Sequence, residues 1–344
     1  MGQVPRTVRE AGEFGLIAEL AAALPPAARV GPEEGVGIGD DAAVWTPSPG
    51  ESVVVTTDSL VESVHFRLDW TDWFSLGHKA LAVNLSDLAA MGAVPRLATV
   101  SLGLRGDEAL EDLRAYYRGL GVLAARTGTR IAGGDIVRSP HGLALHVTAL
   151  GETSGGRLLR RDGAQPGDLV AVSGTLGASA AGMALLAGEG GSGAATADLL
   201  VAAHLRPEPR LALGRSLAEA GATAAMDLSD GLFGDLPKIL AASAVSARID
   251  LGRLPVAAAV RALFPERWLD FATRGGEDYE LLFTVPATRW HEVAAAASAI
   301  GSTVTAIGEI VPRGASGPEL LVRGLGGEEQ VVKEGAFDHF GRGG

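Results

Sequence analysis

The chain has 344 residues, of which 47% are hydrophobic and 20% are charged, and its formal net charge is −12. This length and hydrophobic content predict two domains with sizeable cores, and the acidic balance without a basic stripe excludes general binding to nucleic acid or to an anionic membrane. The lack of cysteine excludes disulfides, thiolate metal sites and a cysteine nucleophile. The polar residues 1–13 do not resemble a signal peptide, and no apolar run reaches the ~20 residues that span a bilayer, so we expect a cytoplasmic protein without a membrane partner.

Helices and strands are predicted to alternate in the first half of the chain, with carboxylates at several of their ends. Phe14–Leu24 is typical of a short amphipathic helix, and an acidic loop with the sequence Gly39-Asp40-Asp41 follows it. The β-branched run Ser52–Asp58 predicts a buried strand that ends in two hydroxyls and a carboxylate. Leu76–Met91 predicts a helix that ends at Gly92.

The same alternation continues to a predicted domain boundary. Arg96–Leu104 and Leu143–Leu150 are typical of strands, and Asp107–Arg126 has the apolar spacing of an amphipathic helix. Ile131–Asp135 predicts a short strand that ends in a glycine pair and a carboxylate. The loop after Glu152 divides the chain into an expected N-terminal domain of residues 1–152 and a C-terminal domain of residues 153–344.

The second half is predicted to place two more acidic segments beside strands. Leu169–Ser173 predicts a strand, and Gly174 and Gly177 lead from it into an alanine-rich helix, a shape that binds anions. Neither a P-loop nor a dinucleotide-binding fingerprint occurs. The predicted strand Ala222–Met226 precedes Asp227-Leu228-Ser229-Asp230-Gly231, and the segment Gly275–Glu280 precedes a predicted strand at Leu281–Val285.

Carboxylates at element ends are the main chemical signal of this sequence. They are Asp41, Asp58, Asp87, Asp135, Asp227 and Asp230. A solvated turn or a helix cap is the alternative for any one of them, but Mg²⁺ takes oxygen ligands and keeps several waters, so their recurrence predicts a magnesium site. His65, between apolar neighbours, is typical of a packing residue, and Tyr117 is more typical of core packing than of an adenine platform.

Six motifs occur in a fixed order along the chain. They are Gly37–Asp41, Thr56–Asp58, Lys79–Ala93, Gly133–Asp135, Asp227–Gly231 and Gly275–Leu281. This series closely resembles the thiamine-monophosphate kinase family, which belongs to a superfamily with aminoimidazole ribonucleotide synthetase and selenophosphate synthetase. The resemblance extends from Gly12 to Phe340, nearly the whole chain.

The resemblance implies both a fold and a reaction. The fold is a two-domain α+β, aminoimidazole ribonucleotide synthetase-like fold. Its N-terminal α/β domain has a mixed sheet, binds ATP and magnesium and pairs in a homodimer, and its C-terminal domain is an α/β sandwich. The reaction is the last step of thiamine diphosphate biosynthesis, in which the γ-phosphate of ATP is transferred directly, with several Mg²⁺ ions, to thiamine monophosphate.

The resemblance also implies roles for individual residues. The metal ligands, or supports of the ligands, would be Asp41, Thr56, Thr57, Asp58, Asp87, Asp135, Asp227 and Asp230, with Asp40 shaping the turn beside them. The catalytic residues would be Asp41, Asp58, Asp87, Asp135 and Asp230. Nucleotide contacts would come from Gly134, Asp135, Arg161, Ser229 and Tyr117, and the thiamine phosphate would be held by His65, Glu277 and Phe337.

Two positions depart from the family pattern. Ile136 stands where a threonine often follows Gly-Gly-Asp, so a hydroxyl near the nucleotide is missing. Phe337 stands where tyrosine or tryptophan is common, which keeps a stacking face but loses a polar group.

Elementary chemistry agrees with this reaction and leaves two alternatives. The acceptor phosphate has a second pKa of about 6, so it is mostly deprotonated at neutral pH and needs no general base. One alternative is another enzyme of the superfamily, but selenophosphate synthetases typically carry a reactive cysteine or selenocysteine, and the purine enzyme lacks support in the Asp227–Gly231 and Gly275–Glu280 motifs. The other is a nucleotide- or cation-sensing module that uses the same acidic loops without catalysis.

Overall fold

The computed structural model describes residues 6–31, 33–190 and 195–332. The chain forms two compact units. Unit 1 consists of Met1–Leu88 and Val94–Gly156, and unit 2 consists of Ala89–Ala93 and Arg157–Gly344. Within the described ranges, no helix combines the length and the apolar character that crossing a membrane would require.

Unit 1 is built on a four-stranded sheet with helices. In chain order its elements are α1 (Val8–Ala11), α2 (Glu13–Ala23), β1 (Val53–Val61), α3 (Trp73–Ala90), β2 (Val94–Leu104), α4 (Leu110–Thr127), β3 (Arg130–Arg138) and β4 (Ala144–Glu152), with a short 3-10 turn at Pro26–Ala28. The strand order is β1-β4-β2-β3. Among the four strands that the structure describes in this sheet, β2 and β3 run parallel and the other two neighbouring pairs run antiparallel, so the sheet is mixed, as predicted.

The strand predicted at Ser52–Asp58 is present, but it neither is buried nor ends at Asp58. Strand β1 continues to Val61, and Val53 and Val55 are 45% and 60% exposed. The reason is its position at the edge of the sheet, where β4 is its neighbour. Similarly, β3 continues for three residues beyond Asp135 to Arg138. A β-branched run predicts a strand but not its place in a sheet.

Helices α3 and α4 approach each other backbone to backbone through two glycines. A Cβ atom at Gly77 would lie 1.9 Å from the carbonyl oxygen of Tyr116, and one at Gly119 would lie 1.9 Å from that of Phe74. Helix α4 ends at Gly128, which caps it in the left-handed conformation. This contact fixes α3, which carries Asp87, against unit 1.

Unit 2 is built on a seven-stranded mixed sheet in the order β11-β10-β7-β9-β5-β8-β6. Its elements are β5 (Asp168–Ser173), α5 (Ala178–Leu186), α6 (Ala195–Leu205), α7 (Leu211–Ala220), β6 (Ala224–Asp227), α8 (Leu232–Ser243), β7 (Ser246–Asp250), α9 (Ala258–Leu263), α10 (Trp268–Arg274), β8 (Leu281–Pro286), α11 (Trp290–Ala299), β9 (Val304–Val311), β10 (Leu320–Arg323) and β11 (Glu329–Val332), with 3-10 turns at Leu251–Arg253 and Ala287–Arg289.

Both faces of this second sheet are covered by helices. On β5, Val170 and Val172 join one apolar cluster, to which α8 contributes Leu236, whereas Ala171 joins a second cluster with Leu217 of α7. Successive residues of a strand point to opposite faces, so the two clusters lie on the two sides of the sheet. The predicted α/β sandwich is therefore confirmed for unit 2.

Candidate functional site

Strand β1 and helix α3 bring two of the predicted carboxylates together in unit 1. Thr56 and Asp58 lie on the same face of β1, because side chains alternate along a strand, and the hydroxyl of Thr56 donates a hydrogen bond to the carboxylate of Asp87. Burial, and then the negative charge of Asp87, raise the pKa of Asp58 to about 6. The site thus holds two oxygen-rich acidic groups at a distance where their charges repel.

Thr57 points to the opposite face of the sheet from Asp58. Its hydroxyl donates to the carbonyl oxygen of Val147 at 3.1 Å and lies 3.0 Å from the hydroxyl of Thr148. A hydroxyl contact from Thr57 to the same ion as Asp58 would require the side chain to leave these bonds. The geometry therefore does not support a side-chain ligand at Thr57.

Asp41 and Asp135 are both exposed and do not join a cluster with Asp58 and Asp87. Asp40 accepts a hydrogen bond of 2.9 Å from the backbone N–H of Asp41, which is the local turn expected of Asp40. Asp135 accepts one of 2.9 Å from the N–H of Ile136. In the ranges that the structure describes, no three His, Asp or Glu side chains converge as ligands of one ion. The remaining ligands of a metal bound here would have to be water or substrate oxygens.

Two of the predicted nucleotide contacts have structural explanations of their own. A Cβ atom at Gly134 would lie 1.8 Å from the carbonyl oxygen of Val100, so the close approach of β2 requires glycine there, whereas one at Gly133 would meet nothing within 4 Å. Tyr117 is 6% exposed, and its ring packs 5.8 Å from that of Tyr116. Burial raises the pKa of Tyr117. This burial favours core packing at Tyr117 over contact with a nucleotide.

The predicted substrate-binding residues lie in different parts of the chain. His65 follows β1 in a turn, and its Nδ1 accepts a hydrogen bond of 3.1 Å from the N–H of Val61. Arg161, which was predicted as a nucleotide contact, is exposed in unit 2. Glu277 lies in the loop before β8, also in unit 2. Phe337 lies outside the described residues.

In unit 2, the loop after β6 and the loop before β8 are joined by backbone hydrogen bonds. Glu277 donates to Ser229 at 2.8 Å, Tyr279 donates to Leu228 at 2.9 Å, and Leu228 donates to Glu280 at 2.8 Å. A Cβ atom at Gly276 would lie 2.5 Å from the carbonyl oxygen of Ser229. The two acidic motifs of the second half therefore form one continuous structure, which contains Ser229, Asp230 and Glu277.

Two residues of this structure have strained backbones. Glu277 has a φ of +67° and Tyr279 has a φ of +51°, although neither is glycine. Such a conformation costs about 1–3 kcal/mol and persists only where surrounding contacts hold it, which is common at functional sites. The hydrogen bonds to Ser229 and Leu228 supply that restraint.

Asp230 belongs to a ring of three charged residues. Lys238 donates to Asp230 at 2.6 Å and to Asp235 at 2.7 Å, and Asp235 accepts the backbone N–H of Asp230 at 2.9 Å. Burial by itself lowers the pKa of Lys238, but the hydrogen bonds and charges of the two aspartates raise it by more than burial lowers it. The amine therefore stays charged. The ring fixes both the backbone and the carboxylate of Asp230. Asp227, at the end of β6, is buried.

Sequence reasoning did not identify Lys238, and it also missed a buried ion pair in the same loop. Arg210 donates two hydrogen bonds to the carboxylate of Glu280, at 2.8 and 2.5 Å, and the hydroxyl of Ser173 donates a third at 2.5 Å. The side chain of Glu280 is 6% exposed. These three charge-assisted hydrogen bonds to a buried carboxylate anchor the loop before β8 to β5 and to the start of α7.

The anion-binding shape predicted before α5 is already used by the protein. Asp278 accepts hydrogen bonds from the N–H groups of Gly177 at 2.6 Å and Ser179 at 3.0 Å. Burial raises the pKa of Asp278 to about 7 against the opposing effect of these bonds. The N-terminus of α5 therefore binds a carboxylate of the loop before β8 instead of an external phosphate.

Comparison with known protein families covers most of the chain. Residues 39–153 match the AIR synthase related protein, N-terminal domain, and residues 165–320 match the corresponding C-terminal domain. The chain is 41% identical to thiamine-monophosphate kinase from Escherichia coli K12 over 340 residues, which is 96% of this chain and 98% of the relative.

Solved structures agree with this assignment. The thiamine-monophosphate kinase of Stenotrophomonas maltophilia K279a matches with a TM-score of 0.80 and 40% identity, over 90% of this chain and 96% of that chain. The structure "AaThiL complexed with AMPPCP and TMP" matches with a TM-score of 0.75 and 31% identity, over 99% of both chains. The predicted family and fold class are confirmed: the chain belongs to the thiamine-monophosphate kinase family and has its two-domain, AIR synthase-like fold.

Proposed function

We propose that the protein is an ATP-dependent kinase that transfers the γ-phosphate of ATP to thiamine monophosphate, giving thiamine diphosphate and ADP. The observation that carries this proposal is the match, over 99% of both chains, to a relative whose structure was solved with AMPPCP and TMP. AMPPCP is an analogue of ATP, so the two molecules bound to that relative correspond to the two reactants of this transfer. The similarity to enzymes named for the same activity supports it further.

Magnesium fits the residues of unit 1. The described donors near Asp58 and Asp87 are oxygens, which suit Mg²⁺. The pKa of Asp58 is raised to about 6 by burial and then by the charge of Asp87, so a cation bound beside Asp58 would favour its charged form. Because Mg²⁺ is usually bound by one or two carboxylates together with substrate phosphates, the lack of a larger cluster in the described ranges is compatible with it. When bound, the metal would neutralise phosphate charge and align the reacting groups.

The protein's own groups would act by position and charge. We assign Asp58 and Asp87 to hold Mg²⁺, with Thr56 orienting Asp87 through its hydroxyl. In unit 1, Asp41 and Asp135 are assigned as single-oxygen ligands of further Mg²⁺ ions. In unit 2, Asp230, which Lys238 fixes, is assigned as a ligand as well. The acceptor is a phosphate that is mostly deprotonated at neutral pH, so the transfer requires no general base and no covalent intermediate.

The acceptor's organic part would be held by side chains that the site already restrains. Thiamine monophosphate carries a thiazolium cation, and a carboxylate is the complementary group. We assign this role to Glu277, whose strained backbone holds it in a fixed direction. His65 is assigned to the acceptor phosphate.

We also propose that the enzyme is a homodimer that pairs through unit 1 and works in the cytoplasm. Strand β1 is a sheet edge, and its outer face exposes Val53 and Val55. Unpaired edges with apolar side chains are templates for pairing with another strand. Dependence on ATP is the reason for expecting a cytoplasmic enzyme.

The test is to incubate the protein with ATP, Mg²⁺ and thiamine monophosphate and to separate the thiamine compounds by chromatography. The proposal predicts thiamine diphosphate and an equal amount of ADP, and no product from unphosphorylated thiamine. Binding of ATP without any product would favour a nucleotide-sensing role instead. A phosphorylated product from thiamine alone would contradict the assignment of the acceptor.

A further inference from the structure

His204 lies beside the loop before β8, which contains Glu277, and connects this loop to helices α5 and α6. It lies in the last turn of α6 and is 6% exposed. Its Nδ1 is 3.4 Å from the Oε2 of Glu277 and 3.0 Å from the hydroxyl of Ser179 on α5. The imidazole therefore contacts the carboxylate assigned to the acceptor without itself being part of the loop.

The direction of the contact follows from its chemistry. A carboxylate accepts hydrogen bonds and donates none, so Nδ1 must carry a proton for the approach to Glu277 to be favourable. With that proton in place, the same N–H lies between two acceptors, the hydroxyl oxygen of Ser179 at 3.0 Å and the carboxylate of Glu277 at 3.4 Å. A buried imidazole that Ser179 holds beside Glu277 in this way limits the rotation of the Glu277 side chain.

The backbone of Glu277 shows why such a restraint is needed. Its φ of +67° costs energy, and the hydrogen bond from its N–H to Ser229 fixes only the main chain. Its side chain is 26% exposed, so one end of it reaches solvent while Oε2 faces His204. The carboxylate is therefore directed from its buried side.

We propose that His204 is a positioning residue for the acceptor: its Nδ1–H holds the carboxylate of Glu277 in the direction that receives the cationic part of thiamine monophosphate. This inference rests on the proposed function, because it takes Glu277 as an acceptor contact. It predicts that His204 affects the binding of the acceptor and not that of the nucleotide.

The experiment measures binding of thiamine monophosphate and, separately, of AMPPCP by isothermal titration calorimetry. His204→Leu removes the Nδ1–H donor and fills the same buried position with an apolar side chain. His204→Asn places an amide N–H close to the position of Nδ1. We expect His204→Leu to weaken binding of thiamine monophosphate about tenfold, equivalent to about 1.4 kcal/mol, and to leave AMPPCP binding unchanged. His204→Asn recovers most of the loss. His291→Leu, at an exposed histidine on α11, is the matched control and changes neither ligand.

A double-mutant cycle with Glu277→Gln separates positioning from packing. If His204 acts through Glu277, His204→Leu has no further effect on acceptor binding once Glu277 is changed. Equal weakening of both ligands, failure of His204→Asn to recover binding, or additive effects in the cycle would each overturn the inference. Should His204→Leu be unfolded at the assay temperature, His204→Gln, whose amide lies nearer the Nε2 position, takes its place in the same comparison.

The outcome for the wild-type protein distinguishes the two proposals. Wild-type protein that fails to bind thiamine monophosphate overturns the proposed function and this inference together. Wild-type protein that binds it, with no coupling between His204 and Glu277, overturns this inference alone.

Discussion

The hydroxyl of Thr56 on β1 donates a hydrogen bond to the carboxylate of Asp87 on α3, beside the partly buried carboxyl of Asp58. One strand and one helix thereby hold two acidic groups in a fixed arrangement, although neighbouring carboxylates repel each other. Burial and the charge of Asp87 raise the pKa of Asp58 to about 6. The charged form of Asp58 is therefore disfavoured without a cation, and binding of the proposed Mg²⁺ would lower this pKa.

The first prediction is that Asp58→Asn and Asp87→Asn abolish turnover but not folding. Each removes one charged oxygen ligand, so we expect turnover to fall at least about a hundredfold. For Asp58→Asn, the thermal midpoint should stay level or rise slightly, because a partly buried charge and its repulsion by Asp87 are removed. Ser59→Ala, on the opposite face of β1 and bonded to His146, is the control that keeps turnover. Wild-type rates in both aspartate variants would remove the basis for the metal site.

The sequence predicts the existence of most elements of unit 1 but not their exposure. The run Ser52–Asp58 has the composition of a buried strand, yet its place at the sheet edge depends on β4, which is about 90 residues distant in sequence. The sequence also could not show that Thr56 and Thr57 have different roles. Their side chains point to opposite faces of β1, and which face holds Asp87 is known only from the folded structure. The sequence motifs therefore identify the types of functional side chain, and the sheet topology decides which of them lie on the same face.

The second prediction concerns the two adjacent glycines of β3. Gly134→Ala should destabilise unit 1 by about 1–3 kcal/mol, because the new methyl group would overlap the carbonyl of Val100. Gly133→Ala, with nothing within 4 Å of the added atom, is the matched control. Thermal denaturation of the two variants measures the difference. Equal stability of both would show that close packing does not explain Gly134.

The third prediction concerns the buried ion pair of Arg210 and Glu280. Arg210→Met should destabilise the protein by about 2–4 kcal/mol, because it leaves the carboxylate of Glu280 buried without its charged partner. Arg289→Met breaks the exposed pair with Glu292 and should cost less than about 1 kcal/mol. Urea denaturation of the two variants provides the measurement, and similar costs for both would contradict the assigned importance of the buried pair.

The fourth prediction is a pH dependence of stability that arises from Asp278. Its pKa in the folded protein is about 7, above its value in the unfolded chain of about 3.9. Between these values the folded state holds a proton that the unfolded state has released, so stability from this group falls as pH rises through this window. Asp278→Asn cannot titrate. Relative to wild type, its unfolding free energy should therefore improve by roughly 1–3 kcal/mol from pH 4 to pH 8. Parallel pH profiles of wild type and variant would contradict the raised pKa.

The site residues that sequence reasoning missed are those whose roles arise from distant contacts. Lys238, Arg210 and His204 act on Asp230, Glu280 and Glu277, which the motifs did identify. Each supporting residue is 8 to 73 positions away from its partner along the chain, and none has a local pattern that indicates pairing. One signal was available: Gly275–Glu280 concentrates three acidic residues, which a folded loop must neutralise or bury with partners.

The most direct test of the central claim follows the γ-phosphate itself. The protein is incubated with Mg²⁺, thiamine monophosphate and ATP labelled in the γ-phosphate, and the label is measured in thiamine compounds, inorganic phosphate and protein. Direct transfer predicts one labelled thiamine diphosphate for each ADP, no label on the protein, and no transfer when Mg²⁺ is chelated. ADP formed without labelled thiamine diphosphate, or label bound covalently to the protein, would contradict it.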